Sequence, residues 1–100
     1  MMAIAVFSEW TQAPTDASQR VAESINRKLG GSFPAGGLYH AEGPNDDGGW
    51  WTFNVWESDD AYQRFNQEIL QPVLQEVSVQ PAQVRRLQVS WDTSQLPGQQ

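Results

Sequence analysis

The sequence predicts an α+β domain in which one four-stranded antiparallel sheet carries both of its helices on a single face. Three observations lead there. Apolar and polar or β-branched residues alternate with a period of two in four segments, at 4–10, 37–43, 50–56 and 84–91. Two segments with apolar residues three or four apart fall between the first pair of strands and between the last pair. The middle two strands are joined by a short run of turn residues, so they pair as a hairpin. In 100 residues there is room for one such core and no second one.

In the first strand Ile4, Val6 and Ser8 share one face while Ala5, Phe7 and Glu9 share the other. Pro14, Thr15 and Asp16 then signal a helix start. Ala17, Val21, Ile25 and Leu29 follow four apart as the apolar stripe of a helix of about four turns. Asp16 and Glu23 lie early, Arg27 and Lys28 late, and Gly30-Gly31 supplies the C-terminal stop. After a loop at Ser32–Gly36, the second strand runs from Gly37 to Gly43, with Leu38 and His40 opposite in facing to Tyr39 and Ala41. Pro44-Asn45-Asp46-Asp47-Gly48-Gly49 is the hairpin turn. Trp50 to Trp56 is dense in aromatic and β-branched residues and reads as a long central strand.

Ser58 is placed to cap the second helix, with Asp59 and Asp60 in its positive first turn. Ala61, Phe65 and Ile69, with Tyr62 beside them, form its stripe. Pro72 has no N–H to donate, so a break or kink is expected near Gln71, with Val73, Leu74 and Val77 in a short further helical piece. Pro81 punctuates, and Val84 to Trp91 alternates as the last strand. The order strand, helix, strand, strand, helix, strand is the split βαβ, ferredoxin-like βαββαβ arrangement. It occupies residues 1–92 as a single domain, with a polar C-terminal tail at 93–100.

Composition narrows the function. Twelve Asp and Glu against six Lys and Arg give a net charge of −6, which disfavours nucleic acid and anionic membrane surfaces as partners. There is no Cys, hence no disulfide, thiolate metal site or cysteine nucleophile. No stretch reaches the length of a membrane span, and the apolar N-terminus is too short for a signal segment, so a soluble cytoplasmic protein is expected. Gly30-Gly31 ends a helix and Gly48-Gly49 ends a turn, so no phosphate-cradling loop follows a strand. Asp46-Asp47 and Asp59-Asp60 are explained by turn and helix N-terminus, with no second His to support a metal site. No metal and no cofactor is therefore expected.

Both faces of the predicted sheet are apolar: Trp51, Phe53 and Val55 lie on one side of the third strand, Trp50 and Trp56 on the other. The helices cover one face only. Each large aromatic left in water forfeits about 1.5–3 kcal/mol, so the expectation is a homodimer in which the second faces meet. The alternative is that the tail folds over this face, although it offers Leu96 as its one large apolar residue.

The runs Leu38-Tyr39-His40-Ala41-Glu42-Gly43, Asp47-Gly48-Gly49-Trp50, Asn54-Val55-Trp56-Glu57-Ser58, Tyr62-Gln63-Arg64-Phe65 and Leu70-Gln71-Pro72-Val73-Leu74 resemble the dimeric α/β-barrel superfamily. They are similar in particular to its small antibiotic-biosynthesis-monooxygenase-like proteins, over roughly residues 3–92. The resemblance implies a dimeric barrel and, in each subunit, a pocket between sheet and helices. Members include cofactor-independent oxygenases of polycyclic phenols, haem-degrading enzymes, isomerases and proteins without an assigned role. The second helix here contains no His, which departs from the haem-degrading members.

With Asn45 to Asp47 at the turn's tip, His40 comes opposite Thr52 and Leu38 opposite Asn54. One face then gathers His40, Thr52, Asn54 and Trp56, more polar than a core requires. His40, the single histidine, is the candidate catalytic base. Asn54, Trp56, Thr52 and Tyr62 are the candidate substrate-binding residues, and the ligand expected is small, flat and aromatic or polyketide-like. Each has a structural competitor. A lone strand histidine is more often a hydrogen-bonded core or interface residue. Asn54 can equally tie down a backbone group, and Trp56 can simply pack. Three readings thus stand side by side: a cofactor-independent monooxygenase, a non-catalytic small-ligand binder, and a structural dimer whose pocket is filled by its own side chains.

Overall fold

A computed structural model describes residues 3–11 and 13–90. Its elements follow the expected order: β1 (Ile4–Trp10), α1 (Ala17–Leu29), β2 (Gly37–Pro44), β3 (Trp50–Trp56), α2 (Asp59–Phe65), α3 (Gln71–Glu76) and β4 (Gln83–Gln88), with a π-helical turn, Asn66–Leu70, joining α2 to α3. The four strands form one sheet in the order β2-β3-β1-β4, and every neighbouring pair is antiparallel. This is the ferredoxin-like βαββαβ arrangement. The expected strand through Trp91 ends its regular pairing at Gln88, with one more ladder bond from Val89 N–H to Ala3 O at 2.9 Å. Trp91 and the tail lie outside the described residues.

Strand parity decides which side chains meet the helices. Ile4, Val6, Ser8 and Trp10 are all buried on one face of β1, opposite Trp56, Asn54, Thr52 and Trp50 of β3. The helices cover this face at its two ends. At one end Trp10 and Trp50 stack at 4.4 Å and close over Ala17, Val21, Val73, Leu74 and Val79. At the other, Ile4, Val6 and Trp56 meet Ala61 and Tyr62 of α2. The core is therefore two clusters. Between them the sheet face presents Ser8, Thr52 and Asn54, polar side chains where a continuous core would have hydrocarbon.

The other face carries Phe7, Trp51, Phe53, Val55, Tyr39 and Leu87. Tyr39 and Leu87 remain 55% and 49% exposed. Phe7 lies stacked near Trp51 and Tyr39 edge-on to Phe53, both at 6.3 Å between centroids. Both sheet faces are apolar, as the alternation requires, and among the described residues nothing packs over this one; the alternative in which the tail covers it lies outside the described residues.

Local signals account for the helix ends. Gly30 takes a left-handed conformation (φ 63°) and closes α1 with its N–H on Arg27 O. Ser58 caps α2, its hydroxyl accepting from Ala61 N–H at 3.2 Å, with Asp59 and Asp60 in the first turn.

One expectation takes a specific form and one is corrected. The interruption expected near Gln71 is a π turn that ends at Leu70, and Gln71 itself is regular αR at the start of the short α3. The chain widens by one residue before the proline, and Gln71 N–H reaches back to Asn66 O. The π turn thereby absorbs the missing donor and the bulk of the proline ring, and the helical run continues into α3. The hairpin register is shifted from the expected one. Asn45 N–H bonds Gly49 O at 2.9 Å, so Asp46, Asp47 and Gly48 form the tip. His40 consequently pairs with Asn54, and Glu42 with Thr52. The slip is two residues, so from Tyr39 to Pro44 each side chain keeps the face that alternation assigned it. The ladder is irregular between Gly37 and Tyr39, and Leu38 has no partner on β3.

Candidate functional site

The polar middle of the sheet is the floor of a cavity of about 510 Å³ that opens between the sheet and the helices. Its size is in the range of small-molecule sites. Two successive rungs make the floor: Ser8, Thr52 and Glu42 on one, Asn54 and His40 on the next, whose β1 member Val6 is in the core instead. A tryptophan rung bounds each side, Trp10 with Trp50 and then Trp56. At about 3.3 Å per residue, Trp50 and Trp56 lie about 20 Å apart along β3. The roof is mostly apolar, with Val21, Ile25 and Leu29 of α1, Phe65 at the end of α2 and Leu70 at the end of the π turn, although Ser18, Glu23 and Asn26 of α1 line it too. A guest would thus meet hydrogen-bonding groups below and chiefly hydrocarbon above.

His40 stands on the edge strand at the open rim, its side chain 39% exposed. Both ring nitrogens are occupied. Nδ1 meets Asn54 Oδ1 across the β2–β3 rung, and Nε2 meets Glu42 Oε1 at 3.0 Å along the strand. Residues two apart on a strand share a face, which is why Glu42 reaches the same ring. Deeper in, Trp56 is 3% exposed and its indole Nε1–H has no hydrogen-bond partner among the described residues. A buried donor left unpaired costs about 1–3 kcal/mol, and here it belongs to a residue of the cavity wall.

Of the residues singled out from the sequence, His40, Thr52, Asn54 and Trp56 come together on the cavity wall. Tyr62 does not reach it. It is buried behind Trp56, with ring centroids 6.1 Å apart, and its phenol pKa is raised by burial, with Arg86 opposing and Asp59 reinforcing the shift. The aromatic that α2 does present to the cavity is Phe65, 5.1 Å from Trp56. Phe65, Glu42 and Ser8 are among the wall residues that sequence reasoning passed over as site members. Strand parity with His40 was the available signal for Glu42, and membership in the Ala61–Phe65–Ile69 stripe was the signal for Phe65.

Comparison with known proteins places this architecture. No family model matches the sequence, and no curated protein matches it. Solved structures do. Rv0793 from Mycobacterium tuberculosis superposes with a TM-score of 0.70 at 15% identity, over 92% of this chain and 99% of that one. A candidate antibiotic biosynthesis monooxygenase from Caulobacter crescentus CB15 gives 0.69 at 13% identity, over 90% and 92%. The fold is that of the antibiotic biosynthesis monooxygenase-like proteins. SnoaB from Streptomyces nogalater, a cofactor-independent oxygenase, shares it with a TM-score of 0.64 at 15% identity, over 93% of this chain and 98% of SnoaB. At such identities the likeness to the monooxygenase-like proteins is one of fold, and the chemistry has to be argued from this chain's own residues.

Proposed function

We propose that this chain is a homodimeric, cofactor-independent oxygenase that takes a flat, electron-rich phenolic molecule into the cavity between sheet and helices. The observation that carries the reading is the floor itself: an imidazole, an amide and an unpaired indole N–H in one cavity between apolar ends. Packing alone would fill these positions with hydrocarbon. The cavity also weighs against the reading in which the chain's own side chains fill the pocket.

In the proposed reaction the rings lie against Trp56 and Phe65, and the substrate's oxygens face Asn54, Thr52 and the Trp56 N–H. His40 accepts the phenolic proton. The resulting anion passes one electron to dioxygen, and the substrate radical and superoxide combine into a carbon–oxygen bond. Proton return from the imidazolium yields a hydroperoxide. Loss of the second proton from the same carbon breaks the O–O bond and releases water, leaving a carbonyl. Overall the phenolic O–H and one ring C–H are lost and O₂ supplies the new carbonyl oxygen and one H₂O, giving a quinone, so no external reductant is needed. Displacing water by the apolar roof favours charge transfer within the pocket.

The dimer is supported by the uncovered sheet face. Its twelve paired positions carry one acid, Glu9, and one base, Arg85, so the net charge of −6 lies elsewhere. Two such faces attract through hydrocarbon with little opposing charge.

Oxygen uptake with polycyclic phenols, read beside product formation, tests the reading. The wild type is expected to consume one O₂ per quinone formed. His40→Ala should lose about 10²-fold or more in kcat/KM, the ordinary weight of a general base. Saturable binding without oxygen uptake would instead make the chain a binder, and absence of both would overturn the proposal.

A further inference from the structure

We infer that Glu42 is a positioning residue that fixes the tautomer of His40 and so selects Nδ1 as the nitrogen that exchanges a proton. The inference rests on the oxygenase reading for its catalytic consequence, though not for its structural content. A carboxylate can only accept, so Glu42 Oε1, 3.0 Å from Nε2, requires a hydrogen on that nitrogen. The neutral ring is then the Nε2–H form, and the free lone pair lies on Nδ1. Nδ1 points across the rung at Asn54, a cavity-wall residue, and not along the strand toward solvent. Asn54 suits both protonation states. Its Oδ1 accepts from Nδ1–H of the imidazolium, and a half-turn of the amide offers Nδ2–H to the bare nitrogen.

The surroundings leave this role to Glu42. Thr52 and Asn54, the β3 residues of these rungs, carry no charge. The other acid on the cavity wall is Glu23 of α1, whose side chain is engaged by Gln19 Nε2 at 3.0 Å. Tyr39, the neighbour on β2, directs its ring to Phe53 on the opposite sheet face. Arrangements in which a carboxylate holds one imidazole nitrogen so that the other works are a general device for setting a base.

His40 is the single histidine of the chain, so two-bond ¹H–¹⁵N spectra of the whole protein report one imidazole without assignment ambiguity. In the wild type the neutral ring is expected to be Nε2–H throughout. Glu42→Gln offers an amide N–H to Nε2 and should bring the Nδ1–H tautomer to at least a third of the neutral population. Glu42→Asp keeps an acceptor and should restore the wild-type ratio in part. With a turned-over phenol, Glu42→Gln should lower kcat about tenfold while KM stays within twofold. Identical tautomer ratios in wild type and Glu42→Gln would overturn the inference, as would an unchanged kcat. Should no phenol be turned over at all, the oxygenase reading fails and the tautomer measurement still decides this one.

Discussion

The phenol of Tyr62 is held above its ordinary pKa of 10.0, first by burial, with Asp59 adding to the shift and Arg86 working against it. Folding therefore disfavours its ionisation. The unfolded chain releases this proton near pH 10 while the native state retains it, so stability is complete below pH 10 and falls as pH rises toward the folded value. Urea midpoints measured from pH 8 to 11 should drop further for wild type than for Tyr62→Phe. Equal slopes would mean that this phenol carries no such linkage. The same residue shows where side-chain placement could be read from sequence. Thr52, Asn54, Trp56 and His40 were legible as a group because strand alternation survives an even slip in register. Tyr62 was not, since each step along a helix turns a side chain by about 100°. One position from the Ala61–Phe65 stripe is enough to send it behind Trp56 and leave the cavity to Phe65.

Among the elements the hairpin is the most exacting. Gly48, at φ 97°, has nothing within 4 Å of an added Cβ, whereas a Cβ on Gly49 would stand 1.5 Å from Trp10 O. The two glycines answer to different constraints, one of backbone angle and one of space. Gly48→Ala should cost about 1–2 kcal/mol, the usual penalty of a left-handed L-residue. Gly49→Ala should cost about 3 kcal/mol or more, because the β1 backbone itself must move. It should also weaken the near-ultraviolet dichroism of the stacked Trp10–Trp50 pair beside it. Equilibrium unfolding of the two variants checks the order, and a milder effect at Gly49 would contradict it. That Asn-Asp-Asp-Gly-Gly is a turn was plain from the residue types, but which residue is the tip was not. The choice between tips one position apart is made by how closely β1 and the turn approach, a tertiary contact. The π turn before Pro72 has the same origin. A proline announces that one helical hydrogen bond is lost, while the burial of Val73 and Leu74 determines that the helix continues.

For the whole molecule, the order of elements was readable because each strand and helix carries its own period and the two never compete in one segment. The cavity was readable only as an excess of polar residues on a face that should be core; its volume depends on how far the two end clusters hold the helices from the sheet. The uncovered face makes the last prediction. Phe7, Trp51, Phe53, Val55, Tyr39 and Leu87 form one continuous surface, and central Phe53 touches Tyr39 within it. If two copies meet here, wild type should sediment at about twice its 11.2 kDa at micromolar concentration. Phe53→Glu would bury a carboxylate from each copy, in an antiparallel pairing close to one another, at a cost of several kcal/mol. It should give a folded monomer, since Phe53 faces away from both core clusters and its loss leaves them intact. Cavity binding should then persist in the monomer wherever the wall comes from one chain alone. A wild type that sediments as 11.2 kDa with this face wet would require something other than a second copy to make two exposed and four half-buried apolar residues tolerable.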